Sequence, residues 1–203
     1  MTPEIDVVLF DLGGVVVDVD HRRGAAFWDE ATGSQGPSFE ACFFESSVKA
    51  RLDDGRQDAT SGLGEVATLS GHIDPGTARD AFCELLSQRP EMTALINALA
   101  AQVRCAVISN TDPIHADWIE ANCGIEASIE TWVYSFDEKA MKPGPELFEA
   151  ALRRVGSAPE RTFILDDRAD NIAMAASLGL ITHHFKTFDA ARDALRSHGF
   201  VLP

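Results

Sequence analysis

Apolar residues gather in five short runs along this chain: IDVVLF (5–10), VRCAVIS (103–109), TWVYS (131–135), RTFIL (161–165) and LITHHF (180–185). Runs this short, separated by segments of helical period, read as strands buried on both faces of a parallel sheet. The helices between them are legible. Pro90 opens one with Met92, Leu95, Ile96 and Leu99 on a single stripe, and Pro145 opens another with Leu147, Phe148, Ala151, Leu152 and Val155, closed by Gly156. Further helices are expected from near Asp170 through IAMAAS to Gly179, and over residues 189–197.

Between the first strand and Pro90 the pattern changes. No parallel-strand signal appears there; GAAFWDEAT, SFEACFFESSVKARL, TSGLGEVATLS and GTARDAFCELLS are helix-like stretches separated by Gly, Pro and Asp. The expected fold is α/β, a Rossmann-like doubly wound parallel sheet with an inserted small helical cap. Residues 1–18 and 89–203 would form the core domain and 19–88 the cap.

Composition narrows the function classes. The chain has 203 residues, 45% of them hydrophobic, enough for a sizeable core. With 17 Lys and Arg against 32 Asp and Glu, the net charge of -15 repels nucleic acid and anionic membranes, so neither is an expected partner. A phosphorylated substrate would need local positive charge from a metal or from placed Lys and Arg side chains. Cys42, Cys83, Cys105 and Cys123 form no C-x-x-C pair, and MTPEIDVV lacks a basic start followed by a long apolar stretch. No apolar run approaches a membrane span. A soluble, reduced, cytoplasmic protein is expected, with Cys105 a buried small hydrophobe; nothing in the sequence specifies an oligomeric state.

Ligands of an open parallel sheet bind beyond the carboxyl ends of its strands. Here the first strand ends on Asp11, the second on Ser109-Asn110-Thr111-Asp112 and the fourth on Asp166-Asp167, while Lys142 precedes the helix linking the third and fourth. Three carboxylates meeting in one cleft repel unless a cation lies between them. Hard oxygen ligands with open positions suit Mg²⁺, whose shell is commonly completed by substrate phosphate oxygens. Phosphoryl transfer follows as the reaction class: Asp11 attacks phosphorus, while Mg²⁺, Lys142, the Ser109 hydroxyl and backbone N–H groups stabilise the equatorial oxygens.

Four motifs in order, FDLGG (10–14), ISNT (108–111), MKP (141–143) and LDDRADN (165–171), resemble those of the haloacid dehalogenase-like (HAD) hydrolases. Most of these are Mg²⁺-dependent phosphatases working through a phosphoaspartate. With DVDHRR and SQRPEM, the chain looks like the branch of bacterial α-glucose-1-phosphate phosphatases and of the N-terminal domain of soluble epoxide hydrolases. The resemblance implies Asp11 as nucleophile and Mg²⁺ ligand, the Gly13 carbonyl as a second ligand, Asp167 as main carboxylate ligand, and Asp166 as a ligand directly or through water. It implies that Ser109 and Asn110 hold the phosphoryl group and that Lys142 neutralises it together with Asp11. Asn171 stands where the family often has a second acid, and only a supporting role is expected of it. The implied substrate is a small phosphorylated metabolite, such as a sugar phosphate.

Most phosphatases of the family carry a second Asp two residues after the nucleophile, which protonates the leaving oxygen; here Gly13 stands at that position. Help worth about 10² to 10⁴ in rate is absent from it. The chain then favours better leaving groups, draws the proton from the cap or the substrate, or binds phosphorylated ligands with little turnover, as a sensor or scaffold. A 2-haloacid dehalogenase would place Ser and Asn at Asp166-Asp167 and a bulky aromatic at Gly13. A receiver domain would carry its acid pair near the start of the chain and lack the cap. Asp18 and Asp20 read as helix cap or hinge, Arg168 as a cleft residue or a surface ion pair, and His183 and His184 as pointing to opposite faces of a strand. Lys139, where relatives have Gly, reads as a solvated side chain, and His21, Arg22, Arg23, Arg51 and Arg56 are the polar cap candidates for specificity.

Overall fold

The computed structural model describes residues 4–202; residues 1–3 and 203, the outer ends of the expected core segments, lie outside it. The chain begins with β1 (Val7–Phe10) and the short β2 (Val17–Val19), then enters α1 (His21–Thr32), α2 (Val48–Asp53), α3 (Ala59–Ser70) and α4 (Pro75–Cys83). It returns through β3 (Leu86–Gln88), which pairs antiparallel with β2. Then come α5 (Pro90–Ala100), β4 (Arg104–Ser109), α6 (Pro113–Asn122), β5 (Thr131–Tyr134), the single turn α7 (Ser135–Glu138), α8 (Pro145–Val155), β6 (Thr162–Asp166), α9 (Ala169–Ser177), β7 (Ile181–His184) and α10 (Phe188–Ser197).

The main sheet has the order β5-β4-β1-β6-β7, with every neighbouring pair parallel. Its alternation shows in the packing. Val8, Phe10, Cys105, Val107, Phe163 and Leu165 join one buried cluster with Met92, Ile114 and Leu195 of α5, α6 and α10. Val7, Leu9, Ala106, Ile108 and Ile164 join another with Leu147, Phe148 and Ala151 of α8. Both faces of the central strands are dry, so the fold is the doubly wound α/β arrangement expected. Among the described residues, no helix is long and apolar enough to cross a membrane.

The structure differs from the sequence-based expectation in two of the helix-like stretches before Pro90. The helix-like stretch over 76–87 stops at Cys83, and Leu86–Gln88 leaves it to pair with β2. The stretch over 38–52 is broken by Ser47, whose φ of 66° separates a π-helical turn at Ala41–Glu45 from α2. Lys139, at φ 52°, ends α7 in the left-handed conformation that Gly would take more cheaply.

The helical segment meets the sheet domain along a seam that is half aromatic and half ionic. Phe43 stacks on Phe82 at 4.3 Å, and Phe82 on His115 of α6 at 4.0 Å. Asp112 caps α6, accepting the N–H groups of Ile114 and His115 at 2.9 Å each. Its other oxygen lies 2.9 Å from His115 Nδ1 and 3.3 Å from Lys49 Nζ of α2. Lys49 also pairs with Asp53, whose carbonyl accepts from Ser135 Oγ at 2.7 Å. Burial opposes the Asp112 charge, but His115 and Lys49 outweigh it and hold this carboxyl well below the usual carboxylate range.

Asp112→Asn leaves Lys49 and His115 short of a buried partner, and is expected to cost about 3–5 kcal/mol in urea unfolding at neutral pH. The folded-state carboxyl titrates below its unfolded value, so its contribution is complete above about pH 4 and is lost as pH falls further. The stability gap between wild type and variant therefore shrinks on acidification. An unchanged midpoint at neutral pH would show that the seam cluster contributes nothing to folding.

Candidate active site

Strand register assembles the site. Phe10 stands opposite Val107 on one side and Leu165 on the other, and the Asp11 N–H continues the ladder to the Leu165 carbonyl at 3.0 Å. One residue further along each strand lie Asp11, Ile108 and Asp166, with Ser109 and Asn110 just beyond. Lys142 enters from the loop before α8, after which the peptide to Pro143 is cis. Asn110 clamps that loop by accepting the Lys142 N–H at 2.8 Å and donating to its carbonyl at 2.7 Å. The buried ammonium then reaches the Ile108 carbonyl at 2.9 Å, Asp166 Oδ2 at 2.7 Å and Asp11 Oδ1 at 3.1 Å. Its three donors are spent.

Asp11, Asp166 and Asp167 each offer an oxygen within 4.8 Å of the others. Burial pushes the Asp11 carboxyl up to about 6; Lys142 works against that rise and Asp166 adds to it. Burial also raises Asp167, again with help from Asp166. One ammonium among three carboxylates leaves two negative charges over, which a divalent cation would balance.

The oxygens divide clearly. Asp166 is spent: Asn171 Nδ2 donates to both of its oxygens at 2.9 and 3.0 Å, the Arg168 N–H to Oδ1 at 2.9 Å, and Lys142 to Oδ2. Asp11 Oδ1 takes the Leu12 N–H at 2.7 Å as well as Lys142. Among the described residues, Asp11 Oδ2 and both oxygens of Asp167 accept no hydrogen bond from another residue. With no His or Cys in the cluster, these free hard oxygens fit Mg²⁺ better than a softer metal.

The two glycines after Leu12 have different reasons. Gly14 has φ 76°, and a Cβ there would lie 2.7 Å from Asp167 Cγ, so a side chain would displace that carboxylate. Gly13 carries no such demand, since a Cβ there would meet only Val19 Cγ2 at 3.6 Å. Two cavities of about 380 and 350 Å³ adjoin at this point. Asp11, Lys142, Asp167 and Asn171 line the first, Phe44, Lys49 and Ser109 line the second, and Gly13 and Asn110 line both.

Of the residues nominated from sequence, Asp11, Gly13, Asn110, Lys142 and Asp167 thus meet at one cavity, with Asp166 fully buried behind them. Ser109 faces the neighbouring cavity with Asn110. Asn171 does more than its supporting role suggested, because it fixes the Asp166 carboxylate from the first turn of α9. Its signal was the spacing: an amide five residues after a strand-end acid, at a helix start. Asp18 pairs with Arg89 and Asp20 caps α1. His183 stacks on Phe163, while His184 Nε2 lies 2.8 Å from the Asp167 carbonyl and braces that loop. Arg168 lines the first cavity but pairs with Asp170 at 2.8 Å. Burial pushes the Cys105 thiol up to about 12, which leaves it inert as a nucleophile.

Known proteins resemble this chain in sequence or in fold. A D-ribitol-5-phosphate phosphatase of Bacteroides thetaiotaomicron is 22% identical over 199 residues, covering 92% of each chain. A HAD family enzyme from the same organism, crystallised with magnesium and inorganic phosphate, superposes with a TM-score of 0.79 at 24% identity, over 90% of this chain and 94% of that one. The L-2-haloacid dehalogenase of Xanthobacter autotrophicus superposes with a TM-score of 0.63 at 19% identity, over 97% and 84%. The sequence model of the haloacid dehalogenase-like hydrolases matches residues 5–179, a span holding every strand-end motif described above, and the chain belongs to that family.

Proposed function

We propose that this hydrolase is a Mg²⁺-dependent phosphatase acting on a small phosphorylated metabolite through a phosphoaspartate on Asp11. The observation that carries the reading is the asymmetry of Asp11: one oxygen is pinned by Lys142 and the Leu12 N–H, and the other is unengaged at the cavity. A carboxylate held in this way presents one defined oxygen to phosphorus. The Asp11–phosphorus bond forms as the bond to the leaving oxygen breaks; water then attacks phosphorus, freeing inorganic phosphate and restoring the carboxylate.

Asp11, Asp167 and the Gly13 carbonyl would hold Mg²⁺, with Asp166 behind them; the ion supplies positive charge facing the phosphoryl oxygens. Lys142 fixes Asp11 and Asp166, Asn110 fixes Lys142, and Asn171 fixes Asp166. Residues 19–88 act as the cap over the core segments 1–18 and 89–203. The phosphatase activity of the relative and the magnesium and phosphate bound by the structural neighbour support this choice of substrate class. A cytoplasmic setting belongs to the same reading, since all four cysteines are free thiols and buried. A dehalogenase is disfavoured by Asp166 and Asp167, whose charge that chemistry does not use. One observation, the missing side chain at Gly13, favours a binding-only sensor.

Inorganic phosphate release from a panel of sugar and sugar-alcohol phosphates decides between these readings. Turnover is expected to need Mg²⁺, to stop on chelation, and to fall by roughly 10³ or more in Asp11→Asn. Mg²⁺ and phosphate binding without turnover on any ester would instead identify the sensor.

Asn171→Ala frees the Asp166 carboxylate, and about 10- to 100-fold weaker activation by Mg²⁺ is expected. A Mg²⁺ titration of initial rates, beside circular dichroism showing an intact fold, measures it; an unchanged half-saturation would remove Asn171 from the site.

A further inference from the structure

An alkoxide leaves phosphorus reluctantly, and a positioned acid that protonates the departing oxygen accelerates the step. Gly13 offers no such group. With the phosphoryl group facing Asp11 in the first cavity, a leaving group would have room to extend past the shared residues Gly13 and Asn110 into the second. The titratable side chains lining that second cavity are His21, Lys49, Asp53 and His115.

Three of these are engaged. Lys49 and Asp53 pair with each other, and Lys49 lies 3.3 Å from Asp112. Both His115 nitrogens face acceptors, Nδ1 the Asp112 carboxylate at 2.9 Å and Nε2 the Phe82 carbonyl at 3.0 Å.

His21 differs. It is the first residue of α1, directly after the capping Asp20, and its ring lies 4.7 Å from that of Phe44. Nδ1 is 3.0 Å from Glu40 Oε1; an ionised carboxylate only accepts, so Nδ1 carries a hydrogen and donates it. Nε2 makes no hydrogen bond among the described residues. Its side chain is 47% exposed, so solvent can return a proton to it. An imidazole oriented through one nitrogen by a carboxylate, with its other nitrogen free and the residue lining a cavity, is suited to proton transfer.

Resting on the phosphatase reading, we propose that His21, held by Glu40, protonates the leaving-group oxygen from Nε2. As the phosphorus–oxygen bond breaks and the phosphoryl group passes to Asp11, the proton goes to the departing oxygen. The products are a neutral alcohol and a neutral imidazole, which solvent reprotonates. The acid that other family members carry beside the nucleophile is in this chain delivered from the start of α1.

The test compares D-ribitol 5-phosphate, whose alkoxide needs a proton, with p-nitrophenyl phosphate, whose phenolate leaves without one. His21→Gln is expected to lower kcat on the alkyl ester by about 10² to 10³ but on the aryl ester by less than about tenfold. Glu40→Gln is expected to shift both rates in the same directions by smaller factors. Gly13→Asp, whose Cβ meets only Val19 Cγ2 at 3.6 Å, is expected to restore alkyl turnover in the His21→Gln background. An equal loss on both esters in His21→Gln, no loss on the alkyl ester, or an unmutated enzyme that hydrolyses the aryl ester and no alkyl ester would overturn the proposal. If Asp11→Asn retained aryl phosphate hydrolysis, the phosphoaspartate reading would fail and the role of His21 with it, so the two failures are distinguishable.

Discussion

A single buried ammonium allows two neighbouring strands, β1 and β6, to bring three carboxylates to one point. At an effective dielectric near 20, two unit charges about 4 Å apart interact by about 4 kcal/mol, a large fraction of a typical domain's stability. Lys142 offsets that repulsion by touching Asp11 and Asp166 together, and its third donor fixes it to the Ile108 carbonyl of β4, on the other side of β1 from β6. No rotamer freedom is left to it, and Asn110 holds its backbone as well. Because Lys142 cancels only one of three charges, the pinned frame remains negative, and its free oxygens on Asp11 and Asp167 face the cavity.

The segment from Ser109 to Asp112 ties this frame to the helices above it. Ser109 and Asn110 line the cavities, the Thr111 N–H donates to Ser135 Oγ at 3.0 Å, and Asp112 engages Lys49 and His115. Ser135 in turn reaches the Asp53 carbonyl at the end of α2. Four consecutive residues thus belong to both the anion site and the seam. Asp112, which engages α2, lies two residues along the backbone from Asn110, which holds the Lys142 loop.

Much of this was legible in the sequence because strand ends leave a compositional mark: an apolar run cut off by an acid or amide shows both the strand and what it delivers. Pro90, Pro145 and Gly156 marked helix ends for equally local reasons, a missing N–H and a left-handed cap. The β2–β3 ribbon left no such trace, since strands of three residues are too short to display a period. The helix Pro113–Asn122 carried a usable signal, Asp112 as cap with Pro113 after it, but its weak amphipathic pattern gave no stripe to follow. The seam cluster was invisible because Lys49 and Asp112 are 63 positions apart and only the fold brings them together.

Gly13 and Gly14 show how one residue type can stand for two physical causes. Gly14 is dictated by its neighbours: its positive φ and the Asp167 carboxylate together exclude any side chain. Gly13 is not dictated by backbone or packing, so the gap it leaves is chemical, an open junction between the cavity of Asp11 and the cavity beneath the helices. When nucleophile and acid sit two residues apart on one loop, their geometry is fixed by local backbone alone. In this chain every titratable side chain lining the second cavity comes from the helical segment or from α6 at the seam. The relation between phosphoryl acceptor and leaving group is therefore set by tertiary contacts, and the seam of Phe82, His115, Asp112 and Lys49 maintains what a short loop would otherwise have fixed.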